Sequence, residues 1–159
     1  MPLSWTDCKG KVWPCKITYG SVDDVRDAMT IDLLEIADDD GALFKEIRTK
    51  KAMLTNVMYC LAVSNGETAT EKEFHRGIDG DSFADMDNAF VEAILDFTPP
   101  DLRAALRGMV EKTNAMKEKA ILRFVKSVEN LNLDAVVENM GAKADQRMIS
   151  AVAKLTDAG

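Results

Sequence analysis

The feature that most constrains the fold is a helical pattern of about 30 residues, which begins at Thr98 and meets no firm stop before Asn130. Thr98 is a good N-cap, and the two prolines after it suit a first helical turn because proline lacks the N–H that a helix start leaves unpaired. Such a helix would reach about 45 Å at 1.5 Å per residue, whereas a compact chain of 159 residues has a radius of gyration of only ~15 Å. The pattern therefore predicts a break at Gly108 or at 113–114, or a far end that packs on a partner.

Apolar residues recur along this segment at helical spacing, so that one face can hold most of them. The positions that can share this face are Leu102, Leu106, Met109, Val110, Thr113, Lys117, Ile121, Phe124, Val125 and Val128. Charge is uneven along the chain, because residues 1–100 have a net charge of −9 whereas 101–126 have a net charge of +4. A solvated basic face explains the positive charge most simply. The alternative is an interaction surface for an acidic protein segment, or for self-association with the acidic N-terminal part.

The segment from Asn132 to Leu155 continues the apolar pattern, with Gly141 as a candidate interruption. The chain has nine methionines, which fill irregular cores and also form adaptable surfaces for varied apolar partners. Core packing is the more common role. The partner role is most relevant in the C-terminal third, which has more apolar surface than so small a body can cover. The candidate partner-binding residues are Leu102, Leu106, Met109, Met116, Phe124, Met140 and Met148.

The first twenty residues predict a β-hairpin. One strand alternates apolar and mostly polar residues, and its apolar positions are Trp13, Cys15, Ile17 and Tyr19. Leu3 and Trp5 can supply the facing strand across a turn at 7–10, where Gly10 makes a positive φ inexpensive. Because an isolated hairpin is only marginally stable, these aromatic side chains need helices to pack on.

Helical patterns follow the hairpin. Ser21 is the expected N-cap of a short helix, and residues 30–36 predict either a third short strand or the end of that helix. A loop at 38–41 then leads into a helix over 42–49.

The next helices have clearer boundaries. One has apolar residues at i, i+3, i+4 and i+7 from Leu54 and ends at the Asn-Gly pair at 65–66. Thr70 and Glu73 form a capping box for a short helix, and residues 81–82 are expected to cap another.

Together these patterns predict a mainly α fold of the α+β class. An N-terminal β-hairpin or short meander packs on about five to seven helices, with a long helix from Pro99 and a C-terminal helical arm. The expected organisation is a hairpin plus short helix over 1–36 within the main domain, a helical body over 37–130 and the arm over 131–159.

Composition excludes several classes of protein. The chain is 47% hydrophobic and 30% charged, which is typical of a folded domain. Its longest apolar run, 57–63, is far below the ~20 residues that span a bilayer, and its first residues do not resemble a signal peptide. A net charge of −7 disfavours nucleic acid as a partner. Three cysteines, an odd number, fit a reducing compartment. We therefore expect a cytoplasmic protein that binds neither membrane nor nucleic acid.

The sequence gives little support for a metal site. Zinc would need the side chains of Cys8, Cys15, Cys60 and His75, and the spacing of the first two cysteines is wrong for a zinc knuckle. The acidic residues from 79 onward do not form a calcium loop, because alanine and phenylalanine stand where an EF-hand needs glycine and glutamate. We expect no metal and no cofactor.

Catalytic constellations are equally sparse. A nucleophile would have to use His75, the one histidine, and no serine lies in a Gly-x-Ser-x-Gly elbow. Glu92 and Asp96 lie one helical turn apart, but packing already explains the stripe beside them. The sequence therefore predicts a protein without catalytic residues, although a small enzyme using acidic pairs is one alternative.

The order of short motifs between about residues 10 and 112 carries a resemblance to a known family. These motifs are Ile17-Thr18-Tyr19-Gly20-Ser21-Val22, Ile31-Asp32-Leu33-Leu34, Gly41-Ala42-Leu43-Phe44, Leu54-x-x-Val57-Met58-Tyr59-x-Leu61, Thr70-Glu71-x-Glu73-Phe74, Gly77-Ile78-x-Gly80-Asp81, Ala89-Phe90-x-Glu92-Ala93 and Asp96-Phe97-x-Pro99. The chain resembles the small tail assembly chaperones encoded among tail genes of bacteriophages and prophages.

The resemblance implies a non-enzymatic function in the cytoplasm of the host cell. It implies binding to tail proteins, above all to the long helical tape-measure protein, and delivery of that protein to the polymerising tail tube. A tape measure exposes apolar helical stripes before assembly, and a helix-in-groove cover would protect them. The alternative within the same setting is a structural virion component, such as a tail completion or connector protein.

Overall fold

A computed structural model describes residues 3–129 and confirms the N-terminal hairpin. Strands β1 (Ser4–Thr6) and β2 (Val12–Pro14) are antiparallel, with Trp5 opposite Trp13. Gly10 has a φ of +82° in the connecting turn, as glycine allows.

The second strand is shorter than the alternating pattern predicts. Cys15 and Ile17 are buried as expected, but they follow the strand, and Tyr19 is 73% exposed as the first residue of a helix. Pro14 offers no N–H for the ladder, which limits pairing at this end of β2. The prediction of Tyr19 as a buried strand residue is therefore wrong.

Helix α1 comprises Tyr19–Met29 and is capped three residues earlier than predicted. Thr18 is the N-cap, and Ser21 completes a capping box at the third helical position. The segment that predicted a strand or a helix end instead forms a 3₁₀-helix over Leu33–Ala37, which Asp32 caps through the Leu34 amide.

Four further helices complete the body before the long one. They are α2 (Ala42–Thr49), α3 (Lys51–Ser64), α4 (Glu71–His75) and α5 (Gly80–Phe97). The end of α3 before the Asn-Gly pair and the Thr70–Glu73 capping box are confirmed. The cap of α5 is not the predicted pair at 81–82. Asp79 is the N-cap, and Ser82 lies at the third helical position.

Helix α6 comprises Pro100–Glu129 and has no break at Gly108 or at 113–114. Of the two outcomes that the sequence left open, the interruption is therefore wrong. Thr98 donates its hydroxyl to the carbonyl of Ile94, so its side chain closes α5 rather than capping α6. The chain divides into two compact units at 114/115, a division that lies within α6. The expected arm at 131–159 lies outside the described residues.

The core of the first unit lies between the hairpin and the helices. Trp13 and Phe74 pack edge to face with ring centroids 4.8 Å apart, and Trp5 contacts both rings. Phe44 of α2 stacks on Phe90 of α5. Between residues 3 and 129 the protein thus has one two-stranded hairpin and six α-helices, the mainly α architecture that the patterns predict.

Candidate partner-binding surface

The second unit exposes a group of large apolar side chains on α6. Every residue from 115 to 129 is exposed, and Phe124 has 69% of its surface open to solvent. Three of them, at 121, 125 and 128, follow the 3.6-residue repeat, and Phe124 and Leu122 flank these on either side, so that five apolar residues lie within about 160° of the helix. We call this surface the α6 stripe; it consists of Ile121, Leu122, Phe124, Val125 and Val128.

The opposite side of the same segment is basic. At about 100° per residue, Lys119, Arg123 and Lys126 lie across the helix from the α6 stripe. Residues 115–129 have four basic and two acidic side chains, a net charge of +2. The segment is therefore an amphipathic helix with a cationic outer side, and it presents apolar anchors that can pack on another helix or in a groove.

Sequence reasoning assigns partner binding to three apolar residues of α6 in the first unit, and the structure separates them. Leu106 is 1% exposed and belongs to the hydrophobic core. Met109 is half-buried against that core, and only Leu102 is exposed, at 48%. We correct the assignment of Leu106, because a side chain enclosed by its own unit offers no surface to a partner.

The remaining candidates have different positions. Phe124 lies on the α6 stripe, whereas Met116 is 72% exposed about 140° around the helix from Ile121. Met140 and Met148 lie outside the described residues. The partner-binding residues predicted from sequence omit four of the five stripe residues, although three of these four follow the i, i+4, i+7 spacing of the helical pattern. The omitted residues are Ile121, Leu122, Val125 and Val128.

A buried ion pair fixes the last turns of α6 in the first unit. Nε and Nη2 of Arg48 each donate to a carboxylate oxygen of Asp87 at 2.7 Å, and Nη2 also donates to the side chain of Asn114 at 3.2 Å. Arg48 on α2 thereby joins α5 to α6. Nothing in the sequence marks this pair, because its partners are 39 and 66 residues away.

An open groove of about 690 Å³ lies between α1 and α3. Its floor is formed by apolar or weakly polar side chains, and both of its charged lining residues are acidic. The lining consists of Asp24, Asp27 and Ala28 from α1 with Tyr59, Cys60, Val63 and Ser64 from α3. Grooves of this size accommodate a few side chains of a bound peptide or ligand. Sequence patterns do not reveal the groove, because these residues form no motif.

The thiol of Cys60 reports the electrostatics of this groove. Burial raises its pKa, and the negative charges of Glu71 and Asp24 raise it further. The carboxylate of Asp24 accepts a hydrogen bond of 2.6 Å from the Ser64 hydroxyl. The groove is therefore a region of negative potential, which disfavours a thiolate and favours a cationic ligand.

Asp7 is a buried carboxylate outside the groove, and its role is structural. Burial acts to raise the pKa of Asp7, but hydrogen bonds from Trp13 Nε1 and from the amides of Lys11 and Lys9 outweigh it and lower the pKa. A side chain at Gly77 would collide with Asp7, since a Cβ there would overlap its Oδ2 atom. Asp7 therefore organises the hairpin turn against α4.

The acidic residues around α5 also have distinct environments. Hydrogen bonds from Ser82 lower the pKa of Asp79, consistent with its role as an N-cap. Asp87 is buried with Arg48, whereas Glu92 and Asp96 are exposed. Capping and ion pairing thus account for the first two of these carboxylates.

The candidate zinc ligands are not gathered into a site. Cys8 is exposed, Cys60 is half-buried, and burial raises the pKa of the enclosed Cys15 to about 11. His75 pairs with Glu71 on the surface of α4, with 3.8 Å between Nε2 and the carboxylate oxygen. Between residues 3 and 129, no three histidine, cysteine or acidic side chains come close enough together to hold a metal ion.

Over the same range, no helix combines the length and apolar character needed to cross a membrane. A scan against protein-family models finds no matching family, and searches of curated proteins and of solved structures find no match either.

Proposed function

We propose that this protein is a non-enzymatic tail assembly chaperone or adaptor that binds apolar helical segments of a tape-measure-type protein. The observation that carries the proposal is the α6 stripe, where five large apolar side chains are exposed on one side of a helix. The proposal also rests on the resemblance of the chain to phage tail chaperones.

The physical basis is the free energy of apolar burial. Covering a large aliphatic or aromatic side chain stabilises a complex by roughly 1.5–3 kcal/mol. Phe124 and Ile121 are among the most exposed of these side chains, at 69% and 62%, so a client helix with its own apolar face would gain most by covering them. The basic side of α6 and the acidic first unit would keep the complex in solution.

The test uses the full chain coexpressed with a coiled-coil segment of the tape-measure protein from the genome that encodes it. Ile121→Glu and Phe124→Glu are expected to weaken binding at least ~10-fold, because interface anchors of this kind contribute more than about 1.4 kcal/mol each. Titration calorimetry and the soluble fraction of the client measure the effect.

Met116→Glu is the matched control: the sequence pattern predicts partner binding at Met116 too, but this exposed residue lies outside the α6 stripe, about 140° around the helix from Ile121, and it receives the same charge. It is expected to change binding less than ~2-fold. Equal binding by all three variants would contradict the proposal.

The structural virion component remains the second proposal, and purified particles distinguish the two. A chaperone is absent from mature particles, whereas a connector or completion protein is recovered in fixed stoichiometry.

A further inference from the structure

We propose that the groove between α1 and α3 is a docking site for residues 115–129 of a second copy of this chain, with Phe124 as the anchor. The inference rests on the proposed function only in treating the α6 stripe as a binding surface, and it does not depend on the identity of the client.

Charge complementarity selects this occupant. The charged lining residues of the groove are Asp24 and Asp27, and Glu71 adds to the negative potential at Cys60. The docking segment has a net charge of +2, and Arg123, about 100° around the helix from Phe124, has a side chain long enough to reach the groove rim while its stem covers apolar surface. Opposite charges across an interface favour encounter and fix the register of the partners.

The apolar residues of the groove also match the docking segment. The groove exposes Val63, at 44%, beside the half-buried ring of Tyr59, and an exposed Phe124 is the kind of aromatic residue that anchors a helix in such a groove. The segment 130–159 of the same chain fits less well, because its net charge is −1.

The proposed contact is heterologous, since a groove on one copy receives a helix from the next. Such contacts produce open chains or rings, or a closed dimer when two copies exchange helices, so the mean mass should rise above that of the monomer with concentration. A client helix bound to the α6 stripe would compete with this contact, and the self-complex would therefore protect the stripe until a client is present.

The test mixes two preparations of the full chain without any client. The acceptor retains Cys60 and has Cys8→Ser, which leaves the buried Cys15 as its other thiol. The donor has Cys8→Ser, Cys60→Ser and Ala120→Cys. Ala120 is exposed one turn before Phe124. A short bis-maleimide should join the two copies, and the product is measured on denaturing gels.

The matched donor has Ala115→Cys, an exposed alanine about 180° around the helix from Phe124. It should crosslink at least ~5-fold less. Asp27→Lys in the acceptor should reduce the product at least ~3-fold, as should 0.5 M salt, whereas the exposed Asp85→Lys should leave it unchanged. Light scattering of the unmodified chain should show a mass that rises above 17.5 kDa with concentration.

Four outcomes would overturn the inference. They are a constant monomer mass, equal crosslinking by both donors, crosslinking between two donors, and crosslinking only within a chain that carries both Cys60 and Ala120→Cys. Because no client is present, failure here with client binding intact would leave the proposed function standing. Self-association without client binding would remove the proposed function and keep the groove contact.

Discussion

The two halves of α6 both have apolar residues at helical spacing, but their surroundings differ. Residues 100–114 have four large apolar side chains and contribute Leu106 to the core, whereas residues 115–129 have six, all exposed. Both halves are helical without interruption. Apolar periodicity therefore predicts the helix in both halves, but the presence of packing elements decides which half is buried. Residues 115–129 have more large apolar side chains than residues 100–114, and yet theirs are the ones exposed to solvent.

The largest expected effect comes from the ion pair that fixes the packed half. Arg48→Met removes the guanidinium from the buried carboxylate of Asp87 and from Asn114. We expect a loss of about 3–5 kcal/mol in the free energy of unfolding. Urea denaturation of the full chain measures this loss, with the fluorescence of the buried tryptophans as the signal.

Two further variants show whether burial causes this loss. Arg26→Met removes a half-buried surface arginine that pairs with Asp23 and Asp32, and it should change stability far less. Arg48→Met combined with Asp87→Leu should recover much of the loss, because the carboxylate that needed the cation is gone. A small effect of Arg48→Met alone would mean that apolar packing by itself secures the first half of α6.

The second prediction applies one substitution to both halves. Leu106→Ala creates a cavity in the core and should cost about 2–5 kcal/mol. Leu122→Ala removes the same atoms from a side chain that is 60% exposed and should change stability by less than about 0.5 kcal/mol. Both values come from urea unfolding at low protein concentration, where self-association contributes little. A comparable loss at Leu122 would show that residues 115–129 are covered in solution.

Much of the fold follows from local signals. The Thr70–Glu73 box and the Asn-Gly end of α3 are predictable because capping chemistry depends on residues a few positions apart. The N-caps of α1 and α5 lie within a turn of their predicted positions, because Ser21 and Ser82 are themselves good capping residues and lie at the third position of capping boxes instead.

The candidate site is predictable only in part. Apolar pattern and position identify Phe124, and three of the four stripe residues that the sequence prediction omits, Ile121, Val125 and Val128, have the same helical spacing. The same pattern misassigns Leu106, because this residue has the spacing of the exposed residues and differs only in what packs against it. The groove between α1 and α3 and the Arg48–Asp87 pair depend on long-range contacts, and a single sequence does not specify those.

The prediction with the smallest expected effect makes the same substitution, glycine to alanine, at two sites in or near the packed half of α6. Gly41 has a φ of +71°, and a Cβ there would lie 2.7 Å from the sulfur of Met109. Gly41→Ala should therefore destabilise the protein by about 1–2 kcal/mol, through backbone strain and displacement of that side chain. Gly108 lies within α6, and a Cβ added there would meet no atom of another element within 4 Å, so Gly108→Ala should stabilise the protein by about 0.5–1 kcal/mol. Thermal unfolding of the two variants and of the parent chain shows whether each substitution lowers or raises the melting temperature. If Gly41→Ala were neutral, Met109 would not be held against Gly41, and the packed half of α6 would be looser there than its half-buried methionine indicates.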